Sequence, residues 1–397
     1  MDTTISVPTK QASPVGTELI ARMQSWRHDI HAHPETAFAE ARTSALVAQA
    51  LKNMGLEVHT GLAKTGVVAT LKRGAGPTIG LRADLDGLDI HELSQVPHQS
   101  TIPGKMHGCG HDGHTAMLLG AAQYLSQNHD FSGTVHFIFQ PAEENEGGGR
   151  VMIEEGLFEL FPCDAVFGLH NAPSLPLGTI STRVGTIMSS FDTFELTLTG
   201  KGSHAAQPEA GVDPIVMSGQ LIQALQTIVS RNVSAIDSLI ISITQIHGGD
   251  TWNVIPEKVV LRGTCRTFLR TTRDKALSRI QKVCEGVALA CGGSIDVQFF
   301  PGYPACVNSQ LETEQAAHAA RLVVGADRVD ANCTPRTGSE DFAYMLEKCP
   351  GAYVLLGAAR PENNPPLHNP YFDFNDDVLA LGAEYWITLV KSLCVKG

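Results

Sequence analysis

Five short runs in this chain are apolar almost throughout: "GVVATL" (66–71), "TIGLRA" (78–83), "TVHFIFQ" (134–140), "DAVFGLH" (164–170) and "GAYVLLG" (351–357). A strand with one wet face alternates apolar and polar residues; these runs do not, so both of their faces must be covered. The segments around them carry helical spacing. Residues 17–31 place Leu19, Ile20, Met23, Trp26 and Ile30 on one face, and 40–54 runs to a stop at Gly55. Further helices are predicted at 112–127, 147–155, 310–324, 339–347 and 376–393. Apolar strands separated by helices predict an α/β domain built on a mostly parallel sheet with helices on both sides.

Residues 188–300 keep a different rhythm. "FDTFELTLTG" (191–200) alternates as a half-exposed strand does, and a helix follows at 212–230. Then come "SLIISITQIHGG" (238–249), "EKVVLRGTCRTF" (257–268), a helix at 273–291 and "SIDVQFFP" (294–301). That order, βαββαβ, is the ferredoxin-like unit. The expected organisation is a discontinuous α/β domain, 1–187 and 302–397, interrupted by an inserted α+β domain at 188–301. A length of 397 residues accommodates two such cores. No internal repeat or low-complexity segment is visible.

Composition removes several functions. Asp and Glu number 41 against 29 Lys and Arg, a formal charge of −12. Such a surface repels nucleic acid and anionic membrane, so neither is an expected partner. No run approaches the length of apolar residues that spans a bilayer. Residues 1–16 are polar and carry no leader pattern. The nine cysteines are odd in number and scattered, which fits free thiols in a reducing cytoplasm better than a disulfide framework.

Chemically capable residues fall just past the apolar runs. Asp84 and Asp86 follow "TIGL", Glu143 and Glu144 follow "TVHFIFQ", His170 and Asn171 follow "DAVFGL", and His368 lies in the loop after "GAYVLLG". Ligands of an open parallel sheet bind outside the carboxyl ends of its strands, so these groups are expected to converge on one rim. Between two of those strands lies "MHGCGHDGH" (106–114), which holds His107, Cys109, His111, Asp112 and His114 with glycines between them. Taken singly, each residue has an ordinary reading: a packed histidine, a solvated glutamate pair, or a buried thiol behaving as a small hydrophobe. A structural zinc knuckle would need more than one cysteine here. The coincidence of thiol, imidazoles and carboxylates on one rim argues for a metal site. Two adjacent glutamates then divide the work, one binding metal and the other moving protons. Such donors suit zinc, and also manganese, cobalt or nickel.

Taken together, the chain resembles the aminoacylase/carboxypeptidase family of metallohydrolases, and within it the branch of hippurate hydrolases, N-acyl-amino-acid amidohydrolases and auxin-conjugate hydrolases. The resemblance rests on "RADLDGL" (82–88), "MHGCGHDGHTAMLLGAA" (106–122), "FQPAEENEGGG" (139–149), "FGLHNAP" (167–173), "GKGSHAAQPEAGVDP" (200–214), "NVIPE" (253–257), "GSEDFAYM" (338–345) and "LHNPYFDFND" (367–376). It implies two divalent metal ions held by Cys109, in a bridging position, with His111, Glu144, His170 and His368. Glu143 matches the general base, and Asp86 the acidic residue that orients a ligand from behind. His204 matches a histidine that reaches a neighbouring subunit's site and stabilises the oxyanion. Asn253 and Arg266 are candidates for the substrate carboxylate. The resemblance also implies that the inserted domain serves as lid and dimerisation surface, in a homodimer or higher homo-oligomer. Gly87, Asp89 and Gly108 stand where the branch more commonly has Ala, Pro and Ala. The histidines of "RHDIHAHPE" (27–35) also match the family and receive no chemistry here.

The expected activity is hydrolysis of the amide bond of N-acyl amino acids. A dipeptidase or aminopeptidase on the same dinuclear site is the rival within this chemistry. A metal-binding module without turnover is the rival outside it, and a spare glutamate beside a ligand glutamate argues against it.

Overall fold

The computed structural model describes residues 15–144, 146–362 and 364–395. The polar segment 1–14 therefore lies outside the described residues. Residues up to Thr182, Leu311–Ala331 and Gly351 onward make one compact unit; Arg183–Gln310 and Asn332–Pro350 make the other. The sequence reading put all of 302–397 in the larger part. The structure groups 302–310 and 332–350 with the smaller one, because Cys306–Asn308 pairs with Gly185–Met188 and the Ser189 amide donates to the Arg336 and Gly338 carbonyls.

In chain order the larger unit begins with helices α1 (Thr17–Ala32) and α2 (Ala41–Asn53), strands β1 (Glu57–Leu62), β2 (Gly66–Arg73) and β3 (Thr78–Asp84), helix α3 (His111–Gln127), and strands β4 (Gly133–Gln140) and β5 (Ala165–Ala172). The smaller unit holds β6 (Ser190–Thr199), α4 (Pro214–Arg231), β7 (Leu239–His247), β8 (Lys258–Thr267), α5 (Arg270–Cys291) and β9 (Ser294–Pro301). The chain then returns through α6 (Gln310–Val324) to β10 (Gly351–Gly357) and α7 (Leu379–Leu393). The helix predicted at 339–347 is a single turn, Ala343–Leu346.

The large sheet runs β1-β2-β4-β3-β5-β10, extended by the short strands Ile180–Ser181 and Val329–Asp330. Its centre is parallel: β3 pairs in parallel with β4 and β5, and β5 with β10. β2, read from sequence as one of the parallel set, is antiparallel to both β1 and β4. Its connection to β1 is a three-residue turn at 63–65, too short for a crossover, so the two strands form a hairpin. Every residue of β5 and of β10 is buried, as apolar strands covered on both faces require. Phe137, Phe139 and Phe167 of the sheet pack with Met117 and Leu118 of α3 and Trp386 and Leu389 of α7 in one core.

The smaller unit has the antiparallel sheet β7-β8-β6-β9, the strand order of a ferredoxin-like βαββαβ unit. β6 alternates strictly, burying Phe194, Leu196 and Leu198 against Leu221, Leu225 and Ile228 of α4 and Ile280 and Cys284 of α5. Asp213 caps α4 by accepting from the Ile215 and Val216 amides, and Pro214 fills the first helical position, where no amide donor is needed. Among the described residues no helix is long and apolar enough to cross a membrane. None of the nine cysteines, all among the described residues, forms a disulfide.

Candidate active site

The carboxyl ends of β3, β4 and β5 deliver Asp86, Glu143–Glu144 and His170 to one rim of the larger unit, where the approach to α3 delivers Cys109 and His111. Cys109 Sγ lies 3.3 Å from His170 Nε2. The possible ligand atoms of Cys109, His111 and His170 all fall within 4.8 Å of one another, and so do those of Cys109, Glu144 and His368. His111, Glu143 and Glu144 form a third such group. The thiol is thus common to two donor triads. His368 Nε2 stands 3.1 Å from Glu144 Oε1.

The His111 and His170 rings are each aimed by a second group. His111 Nδ1 donates to the Asp86 carbonyl at 2.9 Å and lies 3.2 Å from Asp86 Oδ1, which leaves Nε2 turned inward. That Nε2 is buried without a hydrogen-bond partner. His170 Nδ1 donates to the Asn171 carbonyl at 2.7 Å, so its Nε2 lone pair faces the thiol. Asp86 Oδ2 also accepts from the Glu144 amide at 2.9 Å, so one carboxylate braces both the His111 ring and the Glu144 backbone.

The electrostatics ask for positive charge. Burial, then Glu144, Glu143 and Asp84, push the Cys109 thiol well above its ordinary range. Burial alone would lower His111, yet Asp84, Asp86 and Glu144 carry it up to about 10. Burial, followed by His114, holds His170 well below its ordinary value, as a neutral ligand requires. An orphaned inward nitrogen, a thiol crowded by carboxylates and two triads of soft and borderline donors fit a pair of divalent cations.

Backbone strain sits beside the same residues. His368 has φ +63° and Ala142, just before Glu143, has φ +54°. Neither is glycine, and such geometry persists only where the surroundings impose it. The His368 amide donates to the Gly108 carbonyl at 2.8 Å, and the Ala142 amide to Glu40 Oε1 at 2.9 Å. The glycines of 106–114 do different jobs rather than jointly making a tight turn. Gly110 takes φ +97°; Gly113 is helical and lies against Phe374, whose ring a Cβ would meet at 2.3 Å.

The supporting shell was the least legible part of the sequence. His114 Nδ1 bonds Asp84 Oδ1 at 2.6 Å, and its Nε2 lies 2.8 Å from Asn171 Oδ1. Arg82 donates to Asp84 at 2.7 Å and to Gln140 at 2.9 Å. The available signal was Arg82 and Asp84 two residues apart in an apolar strand, where they must share a face and pair.

The other three expected residues belong to the smaller unit. His204 pairs with Val254 in a two-stranded ladder, where the Ala205 amide bonds the Asn253 carbonyl at 2.9 Å, so His204 and Asn253 are neighbours, both exposed. Arg266 lies on β8 with its guanidinium over the Phe191 ring at 4.5 Å, donating to the Thr337 carbonyl at 3.0 Å. Its charge is thus partly engaged within its own unit.

A mostly parallel α/β fold that gathers thiol, imidazole and carboxylate at its strand ends, with a ferredoxin-like unit in the middle of the chain, defines a metal-dependent hydrolase. The chain belongs to peptidase family M20/M25/M40, whose family model matches residues 80–392. It is 39% identical over 371 residues to an N-acetylcysteine deacetylase of Bacillus subtilis, covering 93% of this chain and 96% of the relative. It is 40% identical over 374 residues to a hippurate hydrolase of Campylobacter jejuni, covering 94% and 96%. Among solved structures it resembles a dinuclear metal-binding peptidase of the M20 family from Bacillus subtilis, with TM-score 0.82, 34% identity, and coverage of 94% and 97%.

Proposed function

We propose that this chain hydrolyses the amide bond of N-acyl amino acids, releasing a carboxylic acid and a free amino acid. The observation that carries the reading is the sharing of Cys109 between two donor triads, with a further buried glutamate, Glu143, beside the ligand Glu144. In this reading Cys109, His111 and His170 would hold one ion, and Cys109, Glu144 and His368 the other. Zinc, manganese, cobalt or nickel suits such donors. Two divalent ions, when bound there, acidify water and polarise the acyl carbonyl.

The chain's own residues supply the remaining steps. Glu143 takes the proton of the attacking water and delivers it to the departing amine. Asp86 holds the His111 ring and the Glu144 backbone in register with each other. His204 donates to the developing oxyanion, from a partner subunit, while Asn253 and Arg266 contact the substrate carboxylate. The relatives named for N-acetylcysteine and hippurate, both N-acyl amino acids, support this substrate class. A homodimer or higher homo-oligomer is supported by β7, an edge strand with Ile240 and Ile246 exposed. A cytoplasmic location is supported by the lack of any disulfide among the nine cysteines, all of them described residues.

The test is a side-by-side assay of the metal-loaded protein on N-acetyl and N-benzoyl amino acids and on the matching dipeptides. The acylated compounds are expected to show the higher kcat/KM. Preference for the dipeptides would make the chain a dipeptidase, and bound metal without turnover of either would make it a binding module.

A further inference from the structure

The motif "RHDIHAHPE" takes no part in the chemistry above, yet it supplies two of the most deeply buried polar side chains of the larger unit. Arg27 and His31, one turn apart on α1, are both 0% exposed. Arg27 Nε lies 3.0 Å from Asp112 Oδ2, and Asp112 directly follows His111. Arg27 Nη2 bonds Asp373 and donates to the Phe374 carbonyl at 3.3 Å, in the segment just after His368. One guanidinium therefore touches two of the four segments that carry the assigned ligands, 109–112 and 368–374. His31 reinforces the first, with Nδ1 2.8 Å from Asp112 Oδ2 and Nε2 3.1 Å from Glu92 Oε1. His98 at 2.9 Å and Arg360 at 2.7 Å reinforce the second at Asp373.

We propose that Arg27 is a positioning residue that sets the spacing of the two donor triads, by tying the Cys109–His111 segment to the His368 segment. The inference rests on the reading of these residues as metal ligands. Between the two segments the backbone gives a direct bond from the His368 amide to the Gly108 carbonyl, and His368 is held at a left-handed φ beside it. Beyond that bond and the packing of Phe374 on Gly113, the Arg27 bridge supplies a charged anchor from outside the site. Arginine suits the place because its planar, delocalised charge lets Nε lie in ion-pair contact with Asp112 at 3.0 Å while Nη2 bonds Asp373, whereas a lysine ammonium is a point charge that serves one. The triad that spans the two segments, Cys109 with Glu144 and His368, depends on this spacing. The triad of Cys109, His111 and His170 does not include the His368 segment.

The experiment uses the full chain with arginine and aspartate variants chosen to keep the fold: Arg27→Lys, which retains the buried charge, and Asp373→Asn, which cuts the bridge at its far end. Cobalt(II) titration of metal-free protein reads both ion affinities, and the cobalt–thiolate absorption reports the bond to Cys109. Wild type is expected to bind two ions. Each variant is expected to keep the first with its thiolate absorption and to bind the second about ten- to a hundredfold more weakly, the usual effect of losing an outer-shell partner. Two ions at wild-type affinity in both variants would overturn the inference, and so would equal weakening of both ions, which marks a purely structural role. A wild-type chain that binds no ion would overturn the metal reading and this inference with it.

Discussion

β5 and β6 show two uses of a strand in one chain. β5 is buried along its whole length and ends in His170 and Asn171, both within the buried shell. β6 alternates buried and half-buried residues and belongs to a sheet covered by helices on one face only. Asp86, His111 and His170 at the rim of the large sheet are therefore out of water, and each must be satisfied and aimed by another protein group, whereas His368 is exposed. Asp86 does this for His111, and the Asn171 carbonyl does it for His170. In the smaller unit His204 stands in water, with only the Ala206 amide donating to its Nδ1 at 3.0 Å. At His111 and His170 preorganisation is thus a product of burial, whereas the exposed His204 depends on another surface to acquire a role.

The largest effect that would break this contrast comes from the buried side. Glu143→Gln keeps size and hydrogen bonding but cannot accept the water proton, so kcat on an N-acyl amino acid is expected to fall about a thousandfold. Metal content, measured by elemental analysis, should not change. Retained activity would remove Glu143 from its assigned role. The exposed side comes next. His204→Ala should lower kcat about a hundredfold, the scale of one oxyanion donor, with metal content and melting temperature unchanged. A fall in melting temperature instead would make His204 a structural residue of its own unit.

The smallest effect sharpens the account of burial itself. Burial would lower the His31 pKa, but Asp112 and Glu92 carry it to about 9. A raised folded value means that the stabilisation is complete below the unfolded value near 6.5 and is lost as pH rises through 9. Urea unfolding of metal-free protein should therefore show stability declining by a few kcal/mol across that window. In His31→Gln the decline should be shallower. Parallel curves would show that His31 is not held charged.

Most long strands of both units were legible because their patterns are clear, uniformly apolar where both faces are covered and alternating in β6, but β1, a largely exposed edge strand, was not read. The short pairings were not. Ile180–Ser181, Ser203–His204 and Val329–Asp330 are two residues each, below the length at which periodicity exists. Nor could an apolar run reveal the direction of β2, which the short turn to β1 decides. At the site, Cys109, His111, Glu144, His170 and His368 stood out as metal-binding types at strand ends or in a glycine-rich run, and the structure gathers them. Of the groups behind them Asp86 was expected, but the pairings of His114 with Asp84 and of Arg27 with Asp112 and Asp373 were hidden, because they join residues far apart in sequence. Composition and spacing carry no trace of such pairings.

Anomalous diffraction from crystals of the zinc-loaded protein tests the central claim most directly. The account predicts two peaks, both within about 2.5 Å of the Cys109 sulfur. One of these should lie among His111 and His170, the other among Glu144 and His368. A single peak, or a pair of which neither touches that sulfur, would contradict it.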